Sequence, residues 1–185
     1  MVVINNMFLR KSQNVMTDCN LVFSLSNDPL VRSASFNTEQ IKYTDHCEWF
    51  KKTLADENTL FFLVFADETE QEFVGQIRFK RQSEQSEECV ISLSITEQFR
   101  GKHIAAEFLQ LGIDELKKNW QDIKYIVAEV KDENIASNML FIKQGFSLIS
   151  KVNTYKLDIC ENFMGGGYKY RVEYLNCISP IKKVA

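Results

Sequence analysis

Residues Ile91–Phe108 read ISLSITEQFRGKHIAAEF. The run from Val90 to Ile95 alternates apolar and polar residues and is rich in β-branched side chains, which predicts a strand. The alternation breaks at Thr96-Glu97. The chain then passes through Gln98-Phe99-Arg100-Gly101-Lys102-His103 into a helical pattern starting near Ile104. A strand that enters a helix through a short, basic, glycine-containing turn suits phosphate groups. The first N–H groups of a helix lack internal partners, and the helix dipole adds partial positive charge there. Arg100 and Lys102 add formal charge, so the expected ligand is a phosphorylated cofactor. A Walker loop does not fit, because Gly101-Lys102 is followed by His103 rather than Ser or Thr and position 96 is Thr rather than Gly. A dinucleotide fingerprint does not fit either, since Gly101 is its only glycine.

A second segment lies downstream. Tyr125-Ile126-Val127-Ala128-Glu129-Val130 reads as a buried strand. A polar turn follows, then a helix over Ile135–Gln144. Asn134 stands where that helix begins, Gly145 suits the left-handed residue that ends it, and Phe146 is expected to open the next strand facing inward.

Together these segments resemble the GNAT superfamily of acyl-CoA N-acyltransferases. Gln98-x-x-Gly101 resembles its pyrophosphate loop Gln-x-x-Gly-x-(Gly/Ala), with His103 in the last position. The strand, Asn134, helix and Gly145-Phe146 resemble its second signature. The resemblance runs from about Met7 to Tyr155. It implies an α/β (α+β) fold: a seven-stranded, mostly antiparallel sheet, splayed between strands 4 and 5, with helices on both faces. It implies acetyl-CoA as co-substrate and no metal. Leu93, Ser94 and Ile95 are expected to meet the pantetheine and thioester through backbone atoms. Phe99, Arg100, Gly101, Lys102, His103, Ile104 and Ala105 are expected to hold the pyrophosphate, with Asn134, Ser137 and Phe141 on the other wall.

The chemistry needs a neutral amine, and an alkyl ammonium must first lose a proton. Glu129, a carboxylate near the end of an apolar strand beside the cleft, is the candidate base, and desolvation there would raise its pKa. The family's usual proton donor to the leaving thiolate is a Tyr at the position of Phe141, which has no proton to give. Either Ser137, Tyr155 or water takes that role, or the thiolate leaves unassisted. The stretches Ser26–Phe36, Ile41–Phe50 and Gly75–Phe79 resemble acetyltransferases acting on nucleotide-linked aminosugars of bacterial surface glycans, as in pseudaminic acid biosynthesis. Arg32 and Arg78 would grip a diphosphate, Phe36 or Trp49 would cover a base or sugar, and His46 would reach the cleft. Acetyltransferases of ribosomal-protein or other N-termini share much of this pattern. A non-catalytic acyl-CoA-binding domain is the alternative of a different class.

Composition sets the frame. The 185 residues suit a single domain spanning 1–185, with 45% hydrophobic and 25% charged residues. A formal net charge of −3 and a pI near 5.5 argue against general nucleic-acid binding. No leader or membrane span is read at the N-terminus. Cys19, Cys47, Cys89, Cys160 and Cys177 form no Cys-x-x-Cys pair, which suggests reduced thiols, a cytoplasmic location and no zinc site. A homodimer is compatible with this reading. Strands are expected at Met7–Lys11, Leu60–Ala66, Glu72–Arg81, Cys89–Ile95, Tyr125–Val130, Phe146–Tyr155 and Tyr168–Asn176. Helices are expected at Thr17–Ser26, capped by Thr17 or Asp18, at Thr44–Ala55, with Thr44 or Asp45 and Glu48 forming a capping box, and at His103–Asn119. Asn27-Asp28-Pro29 reads as a breaker, and Leu30–Asn37 is ambiguous.

Overall fold

The computed structural model describes residues 7–150 and 154–159. The most apolar strand organises it. β2 (Thr59–Phe65, TLFFLVF) is buried from Leu60 onward. Because side chains alternate across a strand, β2 feeds two cores at once. Phe61, Leu63 and Phe65 share one cluster with Cys19, Val22 and Leu25 of α1 (Met16–Ser26) and Phe50 of α3 (Tyr43–Ala55). Leu60, Phe62 and Val64 share the other with Phe108, Leu109 and Leu116 of α4 (Ala105–Asn119). Full burial stabilises each such side chain by about 1.5–3 kcal/mol. Helices therefore cover both faces of the sheet.

β1 (Phe8–Lys11), β2, β3 (Phe73–Arg81) and β4 (Glu88–Ile95) form an antiparallel meander. β5 (Tyr125–Glu129) joins β4 in parallel, and the sheet order is β1-β2-β3-β4-β5-β7-β6. α5 (Ile135–Lys143) follows β5. The seven-stranded, mostly antiparallel sheet matches expectation, but its far edge does not. The single strand expected over Phe146–Tyr155 is a hairpin of two, β6 (Ser147–Ser150) and β7 (Thr154–Asp158). The strand expected at Tyr168–Asn176 lies outside the described residues.

The N-terminal helices also start differently. Val15 is the N-cap of α1 without a side-chain cap bond. Asp18 is fully buried and takes two bonds of 2.8 Å from the Arg10 guanidinium and one of 2.7 Å from the Gln13 N–H. A bidentate buried pair that ties β1 to α1 outcompetes a surface cap. The capping box on α3 does not form: the helix begins at Tyr43, with Lys42 as an N-cap that makes no side-chain bond. Between them the breaker starts a helix, α2 (Pro29–Ala34), capped by Asp28 with Pro29 in its first turn. Among the described residues no helix is long and apolar enough to cross a membrane, and no cluster of side chains could hold a metal.

Candidate active site

The ladder between β4 and β5 runs from Glu88↔Tyr125 to Ile91↔Ala128 and stops there. On its other edge β4 stays paired with β3 as far as Gly75↔Ile95. Gly75 allows that approach, since a Cβ there would lie 2.2 Å from the Ser94 carbonyl oxygen. The last four residues of β4 thus carry a strand on one edge only. The Thr96 N–H donates to Val74 O on β3 at 2.9 Å. Alternation then turns the backbone groups of Ile95 and Leu93 to the other edge, into the gap. The Ile95 carbonyl there accepts a 2.8 Å bond from Arg100 Nε. Leu93 N–H and C=O and Ile95 N–H face this open edge. Ser94 is a correction, because its backbone faces β3 and it lines the gap without offering a strand edge.

The gap opens into a cleft of about 960 Å³. Of the expected cofactor residues, Leu93, Ser94, Ile95, Phe99, Arg100, Gly101, His103, Ile104, Ala105, Asn134, Ser137 and Phe141 line it. Lys102 does not: it is exposed, with Nζ 4.9 Å from the centre of the Phe99 ring. The loop between β4 and α4 is shaped by two left-handed residues, Gly101 (φ 71°) and His103 (φ 62°). This explains why the helix starts at Ala105 rather than at His103. Ile104, the N-cap of α4, brings no side-chain bond. The first N–H groups of a fifteen-residue helix are thus left for another acceptor, beside left-handed turns of the kind that form anion-binding concavities.

The opposite wall follows the second motif. Asn134 caps α5, its Oδ1 accepting from Ser137 N at 3.2 Å. Gly145 takes the left-handed conformation (φ 84°) that ends the helix, and Phe146 is buried against Phe141 with ring centres 4.8 Å apart. Tyr155 is buried, and its hydroxyl donates to Asn138 Oδ1 at 2.7 Å. Asn138 Nδ2 in turn donates to the carbonyls of Lys131 and Asp132. Tyr155 therefore braces the β5–α5 turn and does not line the cleft. Glu129 lines it at the end of β5 but is exposed, so the dry surroundings expected for it are absent.

The expected acceptor residues divide. Phe36 and Arg78 line the cleft. Arg78 is half-buried, its guanidinium carbon 5.2 Å from the centre of the Trp49 ring, and burial lowers its pKa. Arg32 does not line the cleft. Its guanidinium donates to the carbonyls of Asn37 and Glu39 and to Ser35 Oγ, so it braces the loop after α2. His46 is a core residue. It is 1% exposed, with Nε2 3.1 Å from the Cys19 carbonyl and its ring packed among Phe23, Trp49 and Phe50. The sequence reading missed α2 itself, whose Leu30, Val31, Ser33 and Ala34 line the cleft. Asp-Pro was the available signal, as a cap followed by proline at the first helical position.

Residues 7–147 match the family model of the acetyltransferase (GNAT) domain. Similar solved structures include a domain from Methanocaldococcus jannaschii, at 21% identity over 83% of this chain and 99% of that one, with a TM-score of 0.70. The spermidine N-acetyltransferase of Vibrio cholerae, in complex with CoA and spermine, is 16% identical over 81% and 91%, with a TM-score of 0.68. The ribosomal L7/L12 alpha-N-protein acetyltransferase RimL is 17% identical over 84% and 91%, with a TM-score of 0.70. At these identities the likeness carries the fold. No curated protein matches by sequence. The matched span contains both segments that build the split and its two walls, and by it the chain belongs to the GNAT family of acetyltransferases.

Proposed function

We propose that the protein moves the acetyl group of acetyl-CoA to a primary amine of a nucleotide-linked aminosugar, by direct attack in a ternary complex. The observation that carries the acyl-CoA part is the split between β4 and β5 beside the α4 N-terminus. A pantetheine arm is a row of amide groups, which suits an open strand edge at Leu93 and Ile95, and a diphosphate suits the end of α4. Backbone N–H groups aimed at the thioester oxygen favour attack, because negative charge develops there; one such donor typically contributes about 10²–10³ in rate. Glu129, directly or through water, takes the proton that the attacking amine gives up. The nitrogen–carbonyl bond forms, the carbon–sulfur bond breaks, and the thiolate is protonated by Ser137 or water.

Arg78 and Phe36 support the aminosugar part. A half-buried guanidinium is stabilised by an anion that offsets its lost hydration, and Arg grips phosphate oxygens in pairs. Arg32 is otherwise engaged, so Arg78 carries this role alone. Reduced thiols and a cytoplasmic location belong to the same proposal. Thiol release from acetyl-CoA with a panel of amines tests it: a nucleotide-linked aminosugar, the free sugar, spermidine and a ribosomal-protein N-terminal peptide. The nucleotide sugar should give the highest kcat/KM, and Arg78→Ala should raise its KM about tenfold, or ~1.4 kcal/mol. A faster peptide would put protein N-termini in its place. Binding of acetyl-CoA with no turnover on any amine would make the chain a binding module.

A further inference from the structure

Helix α2 forms part of the acceptor wall, yet none of its residues is buried. A helix of six residues is far below the length that is stable in water, and it has little apolar burial to hold it. Val31 packs against the core cluster of α1, and polar ties hold both ends of the helix. At the start, Asp28 Oδ1 accepts from the N–H groups of Leu30 (3.0 Å) and Val31 (3.1 Å). The same oxygen lies 2.9 Å from Arg100 Nη2. At the other end, Lys131 Nζ, from the turn after β5, donates to the Ser33 carbonyl at 3.0 Å. The helix thus bridges the two walls of the cleft.

Arg100 belongs to the expected pyrophosphate loop. Its Nε is spent on the Ile95 carbonyl at the end of β4, and its Nη2 faces Asp28. Its Nη1 and Nη2 are both buried without a hydrogen-bond partner among the described residues, so the contact with Asp28 is a close ion pair rather than an aligned hydrogen bond. A guanidinium offers five donors in a fixed plane, so while Nε holds Ile95 the two Nη groups beside Asp28 can meet a further acceptor. A diphosphate in the loop would fix that plane, and with it the charge that Asp28 faces at 2.9 Å. We propose that Asp28 is a positioning residue that ties α2 to the cofactor loop through Arg100, so that occupancy of the cofactor site sets the acceptor wall. This rests on the acyl-CoA reading above. Coupling between two sites is reciprocal, so an acceptor that holds α2 also tightens the cofactor.

Asp28→Asn separates the two jobs of the residue. Asn caps a helix as well as Asp does, so α2 keeps its cap while the ion pair is lost. Hydrogen exchange on the full chain, at millisecond to second labelling times, is followed with coenzyme A as the probe. In the unmodified protein, coenzyme A should slow exchange in the 99–105 loop and at the bonded amides of α2, the latter by roughly 5- to 150-fold. In Asp28→Asn the loop should still be protected and α2 should not. Arg100→Gln, which removes the charge that Asp28 faces, should also lose α2 protection at coenzyme A concentrations that still protect the loop, and serves if Asp28→Asn folds poorly. The proposal is overturned if α2 protection survives in either variant, or if coenzyme A protects the loop but not α2 in the unmodified protein. Protection of neither segment overturns the acyl-CoA reading, and this proposal with it.

Discussion

Gly101→Asp puts a negative charge where the cofactor's diphosphate is expected. Gly101 is left-handed (φ 71°), and no atom lies within 4 Å of an added Cβ. A side chain there meets open space, so Gly101→Ala should cost only the backbone penalty of about 1–2 kcal/mol. Asp tolerates this conformation better than Ala, so its cost to folding is no larger. Binding is another matter. Two like unit charges ~5 Å apart repel by ~0.8 kcal/mol in water and ~3.3 kcal/mol at an effective dielectric constant of about 20. The Kd for acetyl-CoA should therefore rise roughly 4- to 250-fold. Thermal unfolding reads this out. Ligand at 100 times Kd adds ~2.7 kcal/mol, and at ~2–4 °C per kcal/mol for a chain of this size the unmodified protein should gain ~5–11 °C. A variant with Kd raised ~100-fold would keep only ~0.4 kcal/mol, about 1 °C, at the same concentration. Gly101→Ala should keep most of the shift, and the gap between Ala and Asp should narrow as salt screens the charge. An equal shift in Gly101→Asp and the unmodified protein would show that this loop holds no diphosphate.

Three further perturbations have expected outcomes. Glu129→Gln should lower kcat by about 10²- to 10⁴-fold with little change in acetyl-CoA affinity; unchanged activity and pH profile would assign the proton to water or another group. Asp18→Ala leaves Arg10 and the Gln13 N–H without their buried acceptor and should destabilise by about 3–5 kcal/mol in urea unfolding, with Arg10→Met/Asp18→Ala less damaging than the sum of its single changes; additivity would count against the pair. Burial pushes the His46 pKa below its ordinary value, and the Cys19 carbonyl opposes this only in part. The unfolded state therefore binds the proton first as pH falls. Stability is fully present above the unfolded pKa of about 6.5 and should decline below it, by up to ~1.4 kcal/mol per pH unit, until the folded pKa is reached. His46→Gln should flatten that slope in melts between pH 7 and 5.

The local features of the fold were written in neighbouring residues. Alternation marked β4, an unbroken apolar run marked β5, and Asn134 and Gly145 marked the two ends of α5, because strand faces and helix caps are set within a few positions. The two motifs in order were enough to place both walls of the cleft. What the sequence left open depended on partners far along the chain. Asp18 looks like a cap until Arg10 on β1 reaches it, and His46 looks reactive until α1 buries it under the Cys19 carbonyl. Arg32 looks like a phosphate grip until the loop after α2 takes its donors. Helix α2 lies across the cleft through Arg100 and Lys131, and Lys131 is 98 positions from the Ser33 carbonyl it bonds. A side chain's type and spacing fix what it can bind. Only the packed chain fixes which competing partner comes within reach, because that choice depends on distances and burial that no local pattern encodes.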